Sequence, residues 1–175
     1  ARSRSDAPGG VVGIDLAGDE WGTDNARYVD CFRRAKDDLG LNTTVHVGET
    51  LPWPLRSSTL DDVVTAALDM RADRLGHGYA AAKNATALEL LRDRGVHLEA
   101  CPAGKHNNLN ATGVYRRWGL NFGLNTDDPA TYFGNCSLAS VEDIAREQLG
   151  FTDADITAAY DRACAAAFGE CPPRS

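Results

Sequence analysis

Histidine is scarce in this chain, with four in 175 residues, and no two of them form a His-x-His pair. Basic residues are outnumbered: 18 Lys and Arg face 25 Asp and Glu, a formal charge of -7. That balance excludes a protein that grips a nucleic-acid backbone, because such affinity is largely electrostatic. Arg2 and Arg4 near the start are too few to change it. No stretch approaches the ~20 consecutive apolar residues that a membrane-spanning helix needs. No internal repeat, low-complexity tract or linker divides the chain, which reads as a single domain over 1–175. Cysteines lack a pairing pattern. Cys31, Cys101, Cys136, Cys164 and Cys171 are odd in number and irregularly spaced, which predicts free thiols in a reducing compartment and a cytoplasmic protein. The first residue is Ala rather than Met, which leaves a secretory leader upstream open.

What is present is an alternation. Short, largely apolar runs closed by polar residues occur at Val11 to Leu16, Thr43 to Glu49, Arg74 to Gly78, Val96 to Pro102 and Leu124 to Pro129. Helical spacing of apolar residues lies between the first of these, at Asp24 to Leu39 (Tyr28, Phe32, Ala35, Leu39) and Thr59 to Met70 (Leu60, Val63, Val64, Ala67, Leu68). A last helix is predicted from Asp153 to Phe168, packed outside the sheet, with a Pro-rich tail after it. Strand, helix, strand repeats of this length imply a parallel sheet flanked by helices. In such folds polar residues at strand C-termini converge on one face, where active sites form. A closed eight-stranded α/β barrel needs about 250 residues, and five strands are convincing here. The expectation is a partial (β/α)8 barrel of about five parallel strands with its N-terminal strands missing. Such a piece would expose two unpaired edges and part of an apolar interior, and would be poorly soluble or oligomeric.

The Asp127-Asp128 pair ends one of these runs and is followed by Pro129, which cannot continue a strand. Adjacent like charges destabilise each other unless a cation or a substrate proton lies between them, which suggests a metal or a polarised ligand. Alone, the pair also reads as a turn that caps the next helix. His46 alone reads equally as a satisfied core histidine. His77 has less structural excuse, because it stands between Gly76 and Gly78. Asp19 and Glu20 read as caps for the helix near Asp24.

Five motifs in order resemble the adenosine deaminase family: Asp15-Leu16-Ala17-Gly18-Asp19-Glu20, His46-Val47-Gly48-Glu49, Gly76-His77-Gly78, Glu99-Ala100-Cys101-Pro102 and Leu124 to Pro129. Their order and spacing match the C-terminal half of that family across nearly the whole chain. The resemblance implies a zinc-dependent hydrolytic deaminase that turns an aminopurine nucleoside into its 6-oxo product and ammonia through zinc-activated water. His46 and Asp127 match zinc ligands, and zinc accepts imidazole and carboxylate donors. Glu49 matches the acid that protonates the purine ring nitrogen, which requires a carboxyl held protonated in a dry pocket. His77 matches the residue that orients the water and takes its proton. Asp128 matches a group at the base, and Gly18 one whose backbone approaches the purine closely. The partner implied is a small purine nucleoside, with oligomeric state left open. His97 matches no metal position and reads as a strand residue, His106 as part of a solvated loop, and Cys101 as a buried thiol outside the ligand set.

Two departures qualify the resemblance. The family's first strand carries a His-x-His pair that supplies two more zinc ligands, and its absence leaves two of four and a site too open for tight zinc. On that ground the chain alone is expected to be inactive. After Pro102 the family has a Ser-Asn-bearing stretch and a longer excursion, whereas this chain runs Ala103 to Asn110 and soon reaches Trp118, expected here as a shortened loop that alters the substrate pocket. Two alternatives follow: a non-catalytic pseudoenzyme or remnant, or another metal-dependent amidohydrolase or phosphoesterase of the same barrel. The latter usually carries a ligating lysine or a third histidine that this chain lacks. Cytidine-type zinc deaminases are excluded by the absence of their Pro-Cys-x-x-Cys signature.

Overall fold

The computed structural model describes residues 10–20, 22, 24–49, 58–103, 108–130 and 137–171. Five strands form one parallel sheet in the order β1 (Gly13–Leu16), β2 (Asn42–Val47), β3 (Arg74–His77), β4 (His97–Ala100) and β5 (Phe122–Leu124). Every neighbouring pair is parallel, and the sheet does not close among the described residues. Among the described residues six α-helices connect or follow the strands: α1 (Val29–Asp37), α2 (Ser58–Leu68), α3 (Ala85–Arg94), α4 (Asn108–Trp118), α5 (Leu138–Leu149) and α6 (Asp153–Ala166). The expected five parallel strands with flanking helices are borne out, as is the open, partial barrel.

Local chemistry sets the helix ends. Asn84 accepts from the Ala87 N–H at the start of α3, and Gly95 closes that helix in the left-handed conformation. Ser137 and Ser140 cap α5 reciprocally, and Thr152 and Asp155 do the same for α6. The first predicted helix is split: Asn25–Tyr28 is a 3-10 turn, and α1 begins at Val29. The cap there is Asp24, which accepts from the Ala26 N–H, rather than Asp19 or Glu20.

One face of the sheet carries Val45, Val47, Leu75, Leu98, Ala100 and Phe122, buried in a single core with Phe32, Val63, Met70, Leu88, Tyr115 and Ile156. Side chains alternate along a strand, so the other face carries a different set. The register aligns Asp15, Thr44, Arg74 and His97 at one level, then His46, Gly76, Glu99 and Gly123 at the next. This inner face is polar, which corrects the expectation of an exposed apolar interior. Its charges are partly paired: Arg74 forms an ion pair with Glu99, Nε to Oε1 2.8 Å, although Nε itself makes no directed hydrogen bond, and His97 Nδ1 lies 3.0 Å from Asn121 Oδ1.

Helix α6 departs furthest from expectation. Its first turns join the core outside the sheet as expected, through Ile156 and Ala159, but its later turns pass along the outer edge of β5. On either side of β5 the backbones of Asn121 and Asn125 bond to β4, which turns the Phe122 carbonyl outward, and Arg162 Nε donates to it at 3.0 Å. Ala163 lies against Gly123, and beyond the helix Phe168 reaches Gly13 and stacks under the Arg74 guanidinium at 3.8 Å. One of the two expected open edges is therefore covered, a standard protection for a strand edge. The outer edge of β1 has no strand partner among the described residues.

Cys164 and Cys171 are joined in a disulfide, which corrects the expectation of free thiols for these two. Cys31 and Cys101 are free, exposed and buried respectively, and Cys136 lies outside the described residues. No helix among the described residues is long and apolar enough to cross a membrane.

Candidate active site

Four strand ends and the residues just beyond them meet in a cleft of about 310 Å³ lined by His46, Gly76, His77, Glu99, Cys101 and Asn125 to Asp128. Two of these residues hold costly backbone conformations: His77 at φ 67° and Asp127 at φ 60° are left-handed without being glycine. Such strain persists where surroundings over-determine it and clusters at functional sites. For His77 those surroundings are visible. Its carbonyl accepts from Tyr115 Oη at 2.9 Å, and its ring, 2% exposed, sits 5.4 Å from that of Tyr79. Tyr79 in turn accepts from the Cys101 N–H at 2.6 Å.

His77 is the centre of the arrangement. Its Nε2 stands 3.6 Å from Glu49 Oε2 and 4.0 Å from Asp127 Oδ2. Ligand atoms of His77, Cys101 and Asp127 all lie within 4.8 Å of one another. The ring of His46 meets that of His77 edge-on, 5.4 Å between centroids. His46 Nδ1 lies 3.1 Å from Asp15 Oδ2, and this hydrogen bond raises the imidazole pKa above its ordinary 6.5. Burial pushes the Cys101 thiol well up, so it is a protonated thiol at neutral pH.

Glu49, His77, His46, Asp127 and Asp128 are thus brought to one rim, as the spacing of the motifs implies. Gly18 is not among them. It is exposed, at φ 136°, and lines a smaller cleft of about 70 Å³ with Leu16, Ala17, Asp19, Glu20, Asn25 and Tyr28. His46 borders both clefts. Glu49 is 32% exposed, so the described residues do not enclose it in a dry pocket. Its backbone N–H is satisfied instead by Glu20 Oε1 at 3.4 Å, a link the sequence reading gave to a helix cap. Asp128 is exposed at the mouth. Asp15 and Cys101 are the neighbours that sequence reasoning left without a role; the signal for both is their place at or just past a strand end.

The stretch Ala103 to Asn110, expected as a loop, already contains the start of α4 at Asn108. His97 is buried in β4 as expected, with its pKa lowered by burial, and His106 lies outside the described residues.

Imidazole and carboxylate at one rim, with a thiol behind them, are the donor types zinc prefers, so the residues present fit that ion in kind. Among the described residues the donor atoms that lie within 4.8 Å of one another are those of His77, Cys101 and Asp127, and His46 stands outside that group.

A family model described as adenosine deaminase matches residues 3–174. An adenosine deaminase from Serratia proteamaculans is 28% identical over 166 residues, 91% of this chain and 47% of its own length. An adenine deaminase from Mesorhizobium japonicum is 32% identical over 167 residues, 90% of this chain and 48% of its own length. Among solved structures, an amidohydrolase from Burkholderia ambifaria with bound Zn is 25% identical at a TM-score of 0.72, covering 91% of this chain and 44% of that one. The chain spans about half the length of the curated relatives it matches.

Proposed function

The chain belongs to the adenosine deaminase family, and from that premise we propose that it carries the zinc-binding and proton-transfer face of a hydrolytic aminopurine deaminase. The reaction proposed is amine plus water giving the 6-oxo purine plus ammonia. The observation that carries it is the convergence of His46, Glu49, His77 and Asp127 on one rim, with His77 within 4.0 Å of both carboxylates.

In this reading His46 and Asp127 would hold zinc, which supplies Lewis acidity and lowers the pKa of water toward ~7 when bound. His77, close to both carboxylates, takes the proton that the attacking water loses. Glu49 delivers a proton to the ring nitrogen next to the amine-bearing carbon. Glu49 is 32% exposed among the described residues, and a base bound beside it would add to the dry environment that favours a protonated carboxyl. Asp128 at the mouth accepts a hydrogen bond from the base, and Gly18 approaches it from the neighbouring cleft with no side chain in the way.

Residues 1–175 are read as one barrel-type unit that supplies two of the four zinc ligands, so this unit alone binds zinc weakly and does not turn over. The absence of a His-x-His pair from these 175 residues also fits a second reading, a non-catalytic relative or remnant, which ranks behind the first. Zinc titration of the chain and of His46→Ala and Asp127→Ala, with ammonia release measured from adenosine and from adenine, tests these readings. Weak zinc binding lost in both variants supports the site. Binding unchanged in both overturns it, and turnover by the chain alone overturns the assigned inactivity.

A further inference from the structure

Asp15 has no part in the reaction above, although it stands on β1 beside the cleft. Its two carboxylate oxygens lie 3.2 and 3.1 Å from Nδ1 of His46. In the register Asp15 is opposite Thr44, two residues before His46 and on the same face, so the two side chains meet on the diagonal. A carboxylate can only accept here, so in the neutral ring Nδ1 carries the proton and Nε2 keeps its lone pair. The far side of the ring is fixed by Gly76: a Cβ there would stand 2.8 Å from Cδ2 and 3.1 Å from Nε2. The imidazole is therefore seated between a carboxylate and bare backbone, at the border of the main cleft.

We propose that Asp15 is a positioning residue that holds His46 as its Nδ1–H tautomer and leaves Nε2 to bind a zinc ion. The proposal rests on the zinc reading of the site and adds to it the group that sets the ligand's orientation. A histidine that ligates metal commonly gives its other N–H to a carboxylate, and loss of that partner lowers metal affinity about 10- to 100-fold. A purely structural role predicts something different. Asp15 and His46 are 40% and 33% exposed, and an ion pair at that exposure contributes little to stability.

The test uses the whole chain without metal, at a pH above the titration of His46, with nitrogen-resolved NMR of the imidazole and zinc titration against a chromophoric chelator. Expected results are the Nδ1–H form in the parent, the Nε2–H form in Asp15→Ala with zinc affinity about 10- to 100-fold lower, and recovery of the tautomer and much of the affinity in Asp15→Asn, whose amide oxygen still accepts. A parent in the Nε2–H form, an Asp15→Ala variant that keeps the Nδ1–H form, or one that keeps the parent's zinc affinity overturns the proposal. A parent chain that takes up no zinc refutes the reading of the metal site instead, and the tautomer comparison then decides for or against Asp15 by itself.

Discussion

His77 and Asp127 face each other across 4.0 Å, and each holds a left-handed backbone conformation, His77 at the end of β3 and Asp127 three residues beyond β5. The left-handed region costs an L-residue roughly 1–2 kcal/mol, less for Asp, and nothing steric for glycine. Asp127→Gly should therefore leave the chain as stable as the parent or more stable by up to about 1 kcal/mol in urea unfolding, while its zinc affinity falls at least tenfold. A marked loss of stability would show that the carboxylate supports the fold and that the strain argument is mistaken.

Gly76 is where the sheet lets a ring lie flat. Gly76→Ala places a methyl 2.8 Å from Cδ2 of His46, and something must move. The ring is the softer side, because Gly76 is in the middle of β3 with strands on both sides. The expected outcome is a cost of about 1–3 kcal/mol, with loss of zinc binding and of the edge-on contact between His46 and His77, read from their imidazole NMR signals. Unchanged signals from both rings would refute the close approach.

How far the sequence reaches can be judged residue by residue. Strands β2, β3 and β4 are legible because each is a short apolar run closed by a polar residue, which is how a buried parallel strand ends. The cleft follows from the same rule, since polar strand ends gather on one face. Helix α4 is hidden by its own composition: Asn108, Asn110, Thr112 and Gly113 are poor helix formers, and tertiary burial of Tyr115 and Ala111 overrides them. The position of α6 is hidden for a different reason. Its apolar stripe does not tell packing behind the sheet from packing along an edge; the contacts of Arg162 with Phe122 and of Ala163 with Gly123 do. The Asp15–His46 contact depends on the register between β1 and β2, which no spacing within either strand reveals. Cys164 and Cys171 lie seven residues apart across a helix end, a separation without a pairing signature.

Acid stability should depend on His97. Burial lowers its pKa below 6.5, helped by Arg74 and Arg162 and opposed by its bond to Asn121. Below pH 6.5 the unfolded chain takes up a proton that the folded chain refuses, so stability falls as pH falls from 6.5 toward the lowered folded value. His46 acts in the opposite sense: its raised folded pKa gives stability that is present below 6.5 and lost as pH rises through the folded value. Glu99, raised above 4.5 mainly by burial, adds a slope of that same sign starting at pH 4.5. The readout is therefore the difference between His97→Gln and the parent in urea unfolding from pH 5 to 8. The variant should lose the decline just below 6.5 and keep the slope above it. A parallel pair of curves would mean that His97 titrates alike in both states.

Arg162 offers the most direct test of how an open sheet protects itself. Its Nε donates to the outward carbonyl of Phe122, and its guanidinium lies 4.8 Å from the centre of the Phe122 ring. Arg162→Leu removes both contacts and leaves a strand edge next to a larger apolar surface. A hydrogen bond from a charged donor contributes about 1.5–3 kcal/mol, and a freed edge recruits another. The variant should be destabilised by that order and associate at lower concentration than the parent in sedimentation velocity. Arg146→Leu is the control, because it removes the same charge from ion pairs with Glu142, Asp143 and Asp153 within and between α5 and α6. Equal behaviour of the two variants would assign the effect to net charge and leave the β5 edge without need of α6. A difference confined to Arg162→Leu would mean that α6 is held in place by the carbonyl it covers.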